Sequence, residues 1–370
     1  MTSAQIEIQL IGMVVAAACA LPGVFLVLRG MAMMSDAISH TVLLGIVLSF
    51  FVLGDLESPW LILGAAAMGL VTVSLTELLN RTKLVKHDAA IGLVFPALFS
   101  LAVILISRFA RGVHLDNDAV LLGELAFAPF DRLMLFGTLL PRSLVVMGII
   151  LLINLVFITA FYKELKLATF DAGLAAALGF SPALIHYGLM GLVSFTAVGA
   201  FDAVGSILVV AFMVAPAAGA YLLTDKLERM LAYSVVLGAL GALGGYWMAH
   251  LLDANIAGSM ATIIGILFLL CLLFAPQRGL LASSARRRRQ RWEFAQTMLT
   301  IHLLHHEGTP EAEVENRLDH LHDHLRWAPA FAHGVVQRAD ERGLVRLENG
   351  SLHLTEAGRG LARTMLADRR

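Results

Sequence analysis

About nine apolar runs recur through the first three-quarters of this 370-residue chain, and they constrain its fold more than any other feature. They cover residues 8–28, 37–53, 59–79, 89–107, 143–162, 183–200, 204–223, 230–252 and 259–275. A helix of roughly 20 apolar residues crosses the ~30 Å hydrocarbon of a bilayer. A spanning segment must satisfy its backbone polar groups internally, so these runs predict transmembrane helices. Composition agrees, with 58% hydrophobic and 15% charged residues. Charge is concentrated elsewhere: the last 94 residues hold 15 of the 27 Lys and Arg, 12 of the 28 Asp and Glu and 8 of the 13 His. Two regions in two solvents follow: a polytopic membrane domain over residues 1–276 and a small polar domain over 292–370.

Basic residues orient the spans. Arg29, Arg81, Lys83, Lys86, Lys163, Lys166, Lys226, Arg229, Arg278 and Arg286 to Arg289 fall on one side, which the positive-inside rule makes cytoplasmic. The N-terminus then lies outside. Its first residues lack a basic n-region, so the first run reads as a retained helix. Arg108, Arg111, Arg132 and Arg142 strain the rule, because their connection falls outside. It is long and half apolar, which predicts partial return into the membrane. Cys19 and Cys271 both lie in apolar runs and form neither a metal knuckle nor a staple. The small residues from Gly238 to Gly245 read as close-packing positions.

Asp36 and His40 are the costly exception to this apolarity. Their i, i+4 spacing puts both on one helix face. An Asp at bilayer depth costs roughly 2.5–3.5 kcal/mol, so the pair needs a polar neighbour, a watery cavity or a bound cation. Carboxylate and imidazole together suit Mn²⁺, Fe²⁺ and Zn²⁺ without choosing among them. His114, Asp116 and Asp118 have the spacing of an external site where metal enters, or of a solvated loop. His186 and His250 stand alone near helix ends and read as interfacial.

Residues 163–181 form an amphipathic, mostly helical connection on the cytoplasmic side, ended by Gly179 and Pro182. Such a helix suits docking of a soluble partner or lying on the membrane. After a basic linker over 277–291, attracted to anionic lipid, helical patterns near 292–306, 310–325 and 328–342 precede two strand-like runs flanking Asn349-Gly350. A last helix begins at Thr355. That is winged-helix order. In this tail His302 and His306, like His320 and His324, are i, i+4 pairs that could meet at a regulatory metal. His333, Gln337, Arg338 and Arg342 share their helix with Asp340 and Glu341, a weak surface for DNA.

The run from Leu28 through Asp36-Ala37-Ile38-Ser39-His40-Thr41-Val42-Leu43-Leu44-Gly45 resembles the permease subunits of bacterial ABC importers for manganese, zinc or iron, with Leu44 where the family carries Pro. The segment from His114 to Glu124 is similar to that family's external connection. Asp171, Ala172 and Gly179 match its coupling helix, and residues 205–216 are also family-like. The tail resembles the winged-helix module of DtxR-type metal-dependent repressors. The resemblance implies an all-α polytopic membrane bundle plus a small α+β winged-helix-like cytoplasmic domain, in the cytoplasmic (inner) membrane of a bacterium. It implies import of a divalent cation, most favourably manganese, past Asp36 and His40 of two permease copies or paralogues. Asp171, Ala172 and Gly179 would dock a separate ATPase, and an extracytoplasmic protein would deliver the metal. No tightly bound cofactor is expected, since the metal is cargo. The chain lacks Gly-x-x-x-x-Gly-Lys-Ser/Thr, so ATP hydrolysis is expected in the partner. Two other readings fit the polar pair: an ion-gradient-driven transporter, and a membrane-anchored metal-responsive transcription regulator.

Overall fold

The computed structural model describes residues 2–54, 60–109, 125–135, 137–310, 312–318, 321, 325–348 and 350–367. The chain divides into two compact units, Met1–Gly279 and Leu280–Arg370.

The first unit runs α1 (Ser3–Leu28), α2 (Ala32–Leu53), α3 (Trp60–Arg81), α4 (His87–Phe109), a hairpin of β1 (Arg132–Leu135) and β2 (Thr138–Pro141), α5 (Arg142–Ala160), α6 (Tyr162–Phe170), α7 (Ala172–Ala177), α8 (Pro182–Val204), α9 (Ser206–Leu223), α10 (Leu227–Leu252) and α11 (Ile256–Phe274). Among the described residues, nine helices are long and apolar enough to cross a membrane: all of these except α6 and α7. Helix ends sit where caps put them. Ser181 caps α8 and Pro182 takes its first turn. Gly205, at φ +78, breaks α8 from α9, a backbone state that a side chain would oppose.

The centre of this unit is α1, whose apolar window is 72% buried against 17% for α4. Close backbone approach holds the centre. A Cβ on Gly23 would lie 2.0 Å from the Met213 carbonyl oxygen of α9, and one on Gly245 would lie 2.2 Å from Met260 Cα of α11. Polar pins add to it. Pro22 lacks the N–H that would bond the Ala18 carbonyl one turn back. Buried Asn154 of α5 supplies the missing donor, Nδ2 to Ala18 O at 2.8 Å, and exchanges hydrogen bonds with Thr196 of α8. In hydrocarbon no water could replace that donor.

Of the four arginines that strain the inside rule, two have carboxylate partners among the described residues. Arg132 of β1 donates to Glu7 of α1 at 2.9 Å, and Arg142 lies 3.7 Å from Asp131. The Glu7–Arg132 pair places the start of α1 and the hairpin at one end of the bundle.

The second unit runs α12 (Leu280–His306), α13 (Ala312–Glu315), α14 (Pro329–Glu341), β3 (Val345–Glu348), β4 (Ser351–Leu354) and α15 (Glu356–Ala367). Its core gathers Leu299, Leu303, Leu321, Val335, Val336 and Leu352. Most of the expected linker is helical here, because α12 continues through Arg286 to Arg289. Arg, Ala and Leu are good helix formers, and Arg289 pairs with Glu293 one turn on at 2.7 Å. The helical pattern at 310–325 contributes only the four-residue α13 as a named helix among the described residues. The expected hairpin forms with Gly350 at φ +83, and Thr355 Oγ1 accepts from the Gly358 amide at the start of α15.

Candidate functional site

Asp36 and His40 lie one turn apart on the first half of α2, with Oδ1 and Nε2 3.5 Å apart and each side chain about one-third exposed (38% and 31%). A metal ~2.1 Å from each of two donors, at a tetrahedral angle, would place those donors about 3.4 Å apart. The observed spacing therefore suits joint chelation with little movement. His40 stacks on Phe95 (5.7 Å, 22°) and meets Phe99 edge-on (5.8 Å), both from α4. These rings limit the orientations that the imidazole can take. The neighbouring hydroxyls do not compete for the pair. Ser35 donates to Ala32 O, Ser39 to Ser35 O and Thr41 to Ile38 O, while Thr72 of α3 donates to Thr41.

A second polar group lies at the ends of α3, α4 and α8, in a cavity of about 370 Å³ that Arg29, Glu77, His87 and His186 line. Arg29, in the α1–α2 turn, donates through Nε to Thr169 Oγ1 of α6 at 3.1 Å and lies 3.4 Å from His186 Nδ1. Burial pulls its guanidinium below the ordinary value. Glu77 lies 3.9 Å from His186 and accepts the Tyr187 hydroxyl at 2.5 Å. So His186 is not the lone interfacial histidine that its spacing suggests. Local sequence gave no signal for this group, whose members lie more than 100 residues apart across α3 and α8. His250 does sit among aromatic rings, stacked on Tyr246 and edge-on to Trp247.

The connection between α5 and α8 is a helical hairpin, not one helix. Asp171 breaks it in extended geometry and caps α7, its Oδ1 accepting from Leu174 N at 2.8 Å. Gly179, at φ +89, ends α7 with paired bonds from Gly179 N to Ala176 O and from Phe180 N to Ala175 O. Ala172 is exposed, and Phe170, Leu174 and Leu178 present 64%, 47% and 61% of their surfaces.

The sequence pattern of the ABC 3 transport family matches residues 4–275, nearly the whole first unit. The chain belongs to the ABC 3 transport family. Its relatives include the zinc transport system membrane protein TroD of Treponema pallidum, 48% identical over 97% of this chain and 98% of that protein. The manganese transport system membrane protein MntD of Bacillus subtilis is 46% identical over 74% of this chain and 93% of that protein. Among solved structures, a chain of PsaBC from Streptococcus pneumoniae in complex with Fab is 28% identical, with a TM-score of 0.63, over 75% of this chain and 94% of that one.

In this ABC 3 family chain, Asp36 and His40 come together as their spacing predicts. His114 and Asp116 lie outside the described residues, and so do His320 and His324. His302 and His306 pair on α12, and the third side chain beside them is Glu315, which the histidine spacing did not single out.

Proposed function

We propose that this chain is the membrane subunit of an ATP-driven importer for a divalent transition metal, manganese or zinc, and that Asp36 and His40 form its half of the transport site. The observation that carries the reading is the chelating geometry of that pair on α2 of an ABC 3 family bundle. Two subunits, copies or paralogues, present four ligands between them, and the ion crosses by alternating access. Imidazole and carboxylate bind such ions without trapping them as thiolates would. An extracytoplasmic protein delivers the ion at the end of the bundle marked by Glu7 and Arg132.

A separate ATPase docks on the α6–α7 hairpin. The exposed Phe170, Leu174 and Leu178 are the apolar surface for it, while Asp171 and Gly179 shape the hairpin through its caps. The Arg29–Thr169 bond ties that hairpin to the turn that opens α2, seven residues before Asp36. The second unit lies in the cytoplasm as a winged-helix-like tail with a regulatory role.

Uptake of manganese and zinc by cells relying on this importer tests the reading. Asp36→Ala and His40→Ala lose uptake at normal membrane abundance; wild-type uptake in both variants removes the assigned role. Arg29→Ala leaves the ATPase bound but weakens the link between hydrolysis and uptake; unchanged coupling removes the part given to Arg29.

A further inference from the structure

His302 and His306 stand one turn apart on α12, their ring centroids 4.8 Å apart and inclined by 56°. Glu315, the last residue of α13, meets them: one ligand atom from each of the three side chains lies within 4.8 Å of the other two. The Glu315 backbone carbonyl is also 3.4 Å from His302 Nε2. All three side chains are half-buried, so the group is neither a solvated surface cluster nor sealed from ions. Two imidazoles and a carboxylate are the donor set of three-ligand zinc sites with a fourth position left for water. Donors on one ion sit about 3.4 Å apart, so the three ligand atoms would draw together by at most ~1.4 Å on binding.

We propose that His302, His306 and Glu315 bind one divalent transition-metal ion, zinc more tightly than manganese, and that binding stiffens the β3–β4 hairpin. The preference follows the general order of divalent affinities, in which zinc exceeds manganese at nitrogen-rich sites. The link to the hairpin is covalent and short. Glu315 passes directly into Asn316, whose carbonyl accepts from the Leu352 amide of β4 at 2.8 Å. Two residues on, the Leu318 amide donates to Gly350 O at 3.4 Å, and Arg317 bridges to Ser351. A metal that pins Glu315 to α12 therefore pins the strand edge that these bonds form. Ion occupancy becomes a mechanical state of the hairpin, the device that a metal-responsive tail needs. The site shares no residue with the transport pair, so either assignment can fail without the other.

The full chain in lipid nanodiscs, carrying Asp36→Ala and His40→Ala to silence the membrane pair, gives the test. Zinc and manganese binding are measured by equilibrium dialysis, and amide hydrogen exchange is followed with and without zinc. One zinc per chain is expected, with manganese weaker. His302→Ala, His306→Ala and the isosteric Glu315→Gln should each weaken zinc by more than the ~10-fold lost when only an outer partner of a ligand is removed. Zinc should slow exchange at the Leu318 and Leu352 amides, and none of the substitutions should speed exchange in the Leu299 core. No bound zinc, binding that survives all three substitutions, or manganese tighter than zinc would overturn the site. Zinc binding without slowed exchange at the two amides would overturn the link to the hairpin. Unaltered exchange around Leu299 separates a lost ligand from a lost fold.

Discussion

The two units of this chain use opposite means to hold together. In the membrane unit, apolar side chains point outward as freely as inward: Leu93, Ile104 and Leu152 are each more than half exposed. Lipid tails are as apolar as leucine, so burying such a side chain gains little. Cohesion comes instead from backbone contact at glycines and from polar pins such as Asn154. The second unit, which holds about half of the chain's charged residues, gathers Leu299, Leu303 and Val335 in a core of its own. There the hydrophobic effect acts as in any water-soluble domain. One chain thus applies two different rules, and a substitution that is mild in one unit is severe in the other.

The largest expected effect is at Gly23. Its added methyl in Gly23→Ala would sit 2.0 Å from the Met213 carbonyl, so α1 and α9 must separate. Thermal unfolding in detergent should show loss of the folded membrane unit, with the second unit's exchange pattern intact. Next comes Leu299→Ala, fully buried in the second core. A buried Leu→Ala costs about 2–5 kcal/mol. Hydrogen exchange should show the second unit opening while the membrane unit stays protected. The same change at Ile104, exposed on α4, should leave stability nearly unaltered, and a comparable loss there would break the contrast. Asn154→Leu ranks third. It leaves the Ala18 carbonyl unsatisfied beside Pro22, and polar contacts between membrane helices are worth about 0.6–2 kcal/mol. A drop in that range by steric-trap or denaturant titration is expected.

The smallest effect belongs to the surface pair Arg289–Glu293. Its hydrogen bond to Arg289 holds the Glu293 carboxyl below its ordinary value. The sign is that of a depressed carboxylate: the contribution is present above the ordinary value and fades as pH falls through the lowered one. Both groups are exposed, so the gain is small and salt removes it. Glu293→Gln should lower the second unit's stability slightly near neutral pH, flatten its acid-side slope, and leave it equal to wild type at low pH.

What could be read from sequence tracks the range of the interactions. The nine helices long and apolar enough to cross a membrane among the described residues were legible because span length is a local property, and Asp36 with His40 because helical spacing is. The Asn349-Gly350 hairpin and the Thr355 cap were legible from turn and cap chemistry. Asp171 and Gly179 stood out, yet their observed structural task is to cap and end α7, which a family pattern alone does not separate from docking. The Asn154 pin was hidden: nothing near Asn154 tells that Pro22 has freed a carbonyl for it. The Arg29–His186–Glu77 group was hidden for the same reason, as was the approach of Glu315 to His302 and His306. Within the pattern near 310–325, residues 312–315 are helical as expected, and the bridge from Arg317 to Ser351 of β4 is a long-range contact that local sequence does not signal.

The most direct test of the transport site reads the ion's own surroundings. The permease pair, with its ATPase, is trapped in an occluded state with manganese or zinc, in a His302→Ala/His306→Ala background so that the tail holds no ion. X-ray absorption should show one ion per pair with a mixed nitrogen and oxygen shell, and the imidazole scattering should vanish in His40→Ala. An imidazole signal that persists in His40→Ala, or full ion occupancy in Asp36→Ala/His40→Ala, would contradict the assignment.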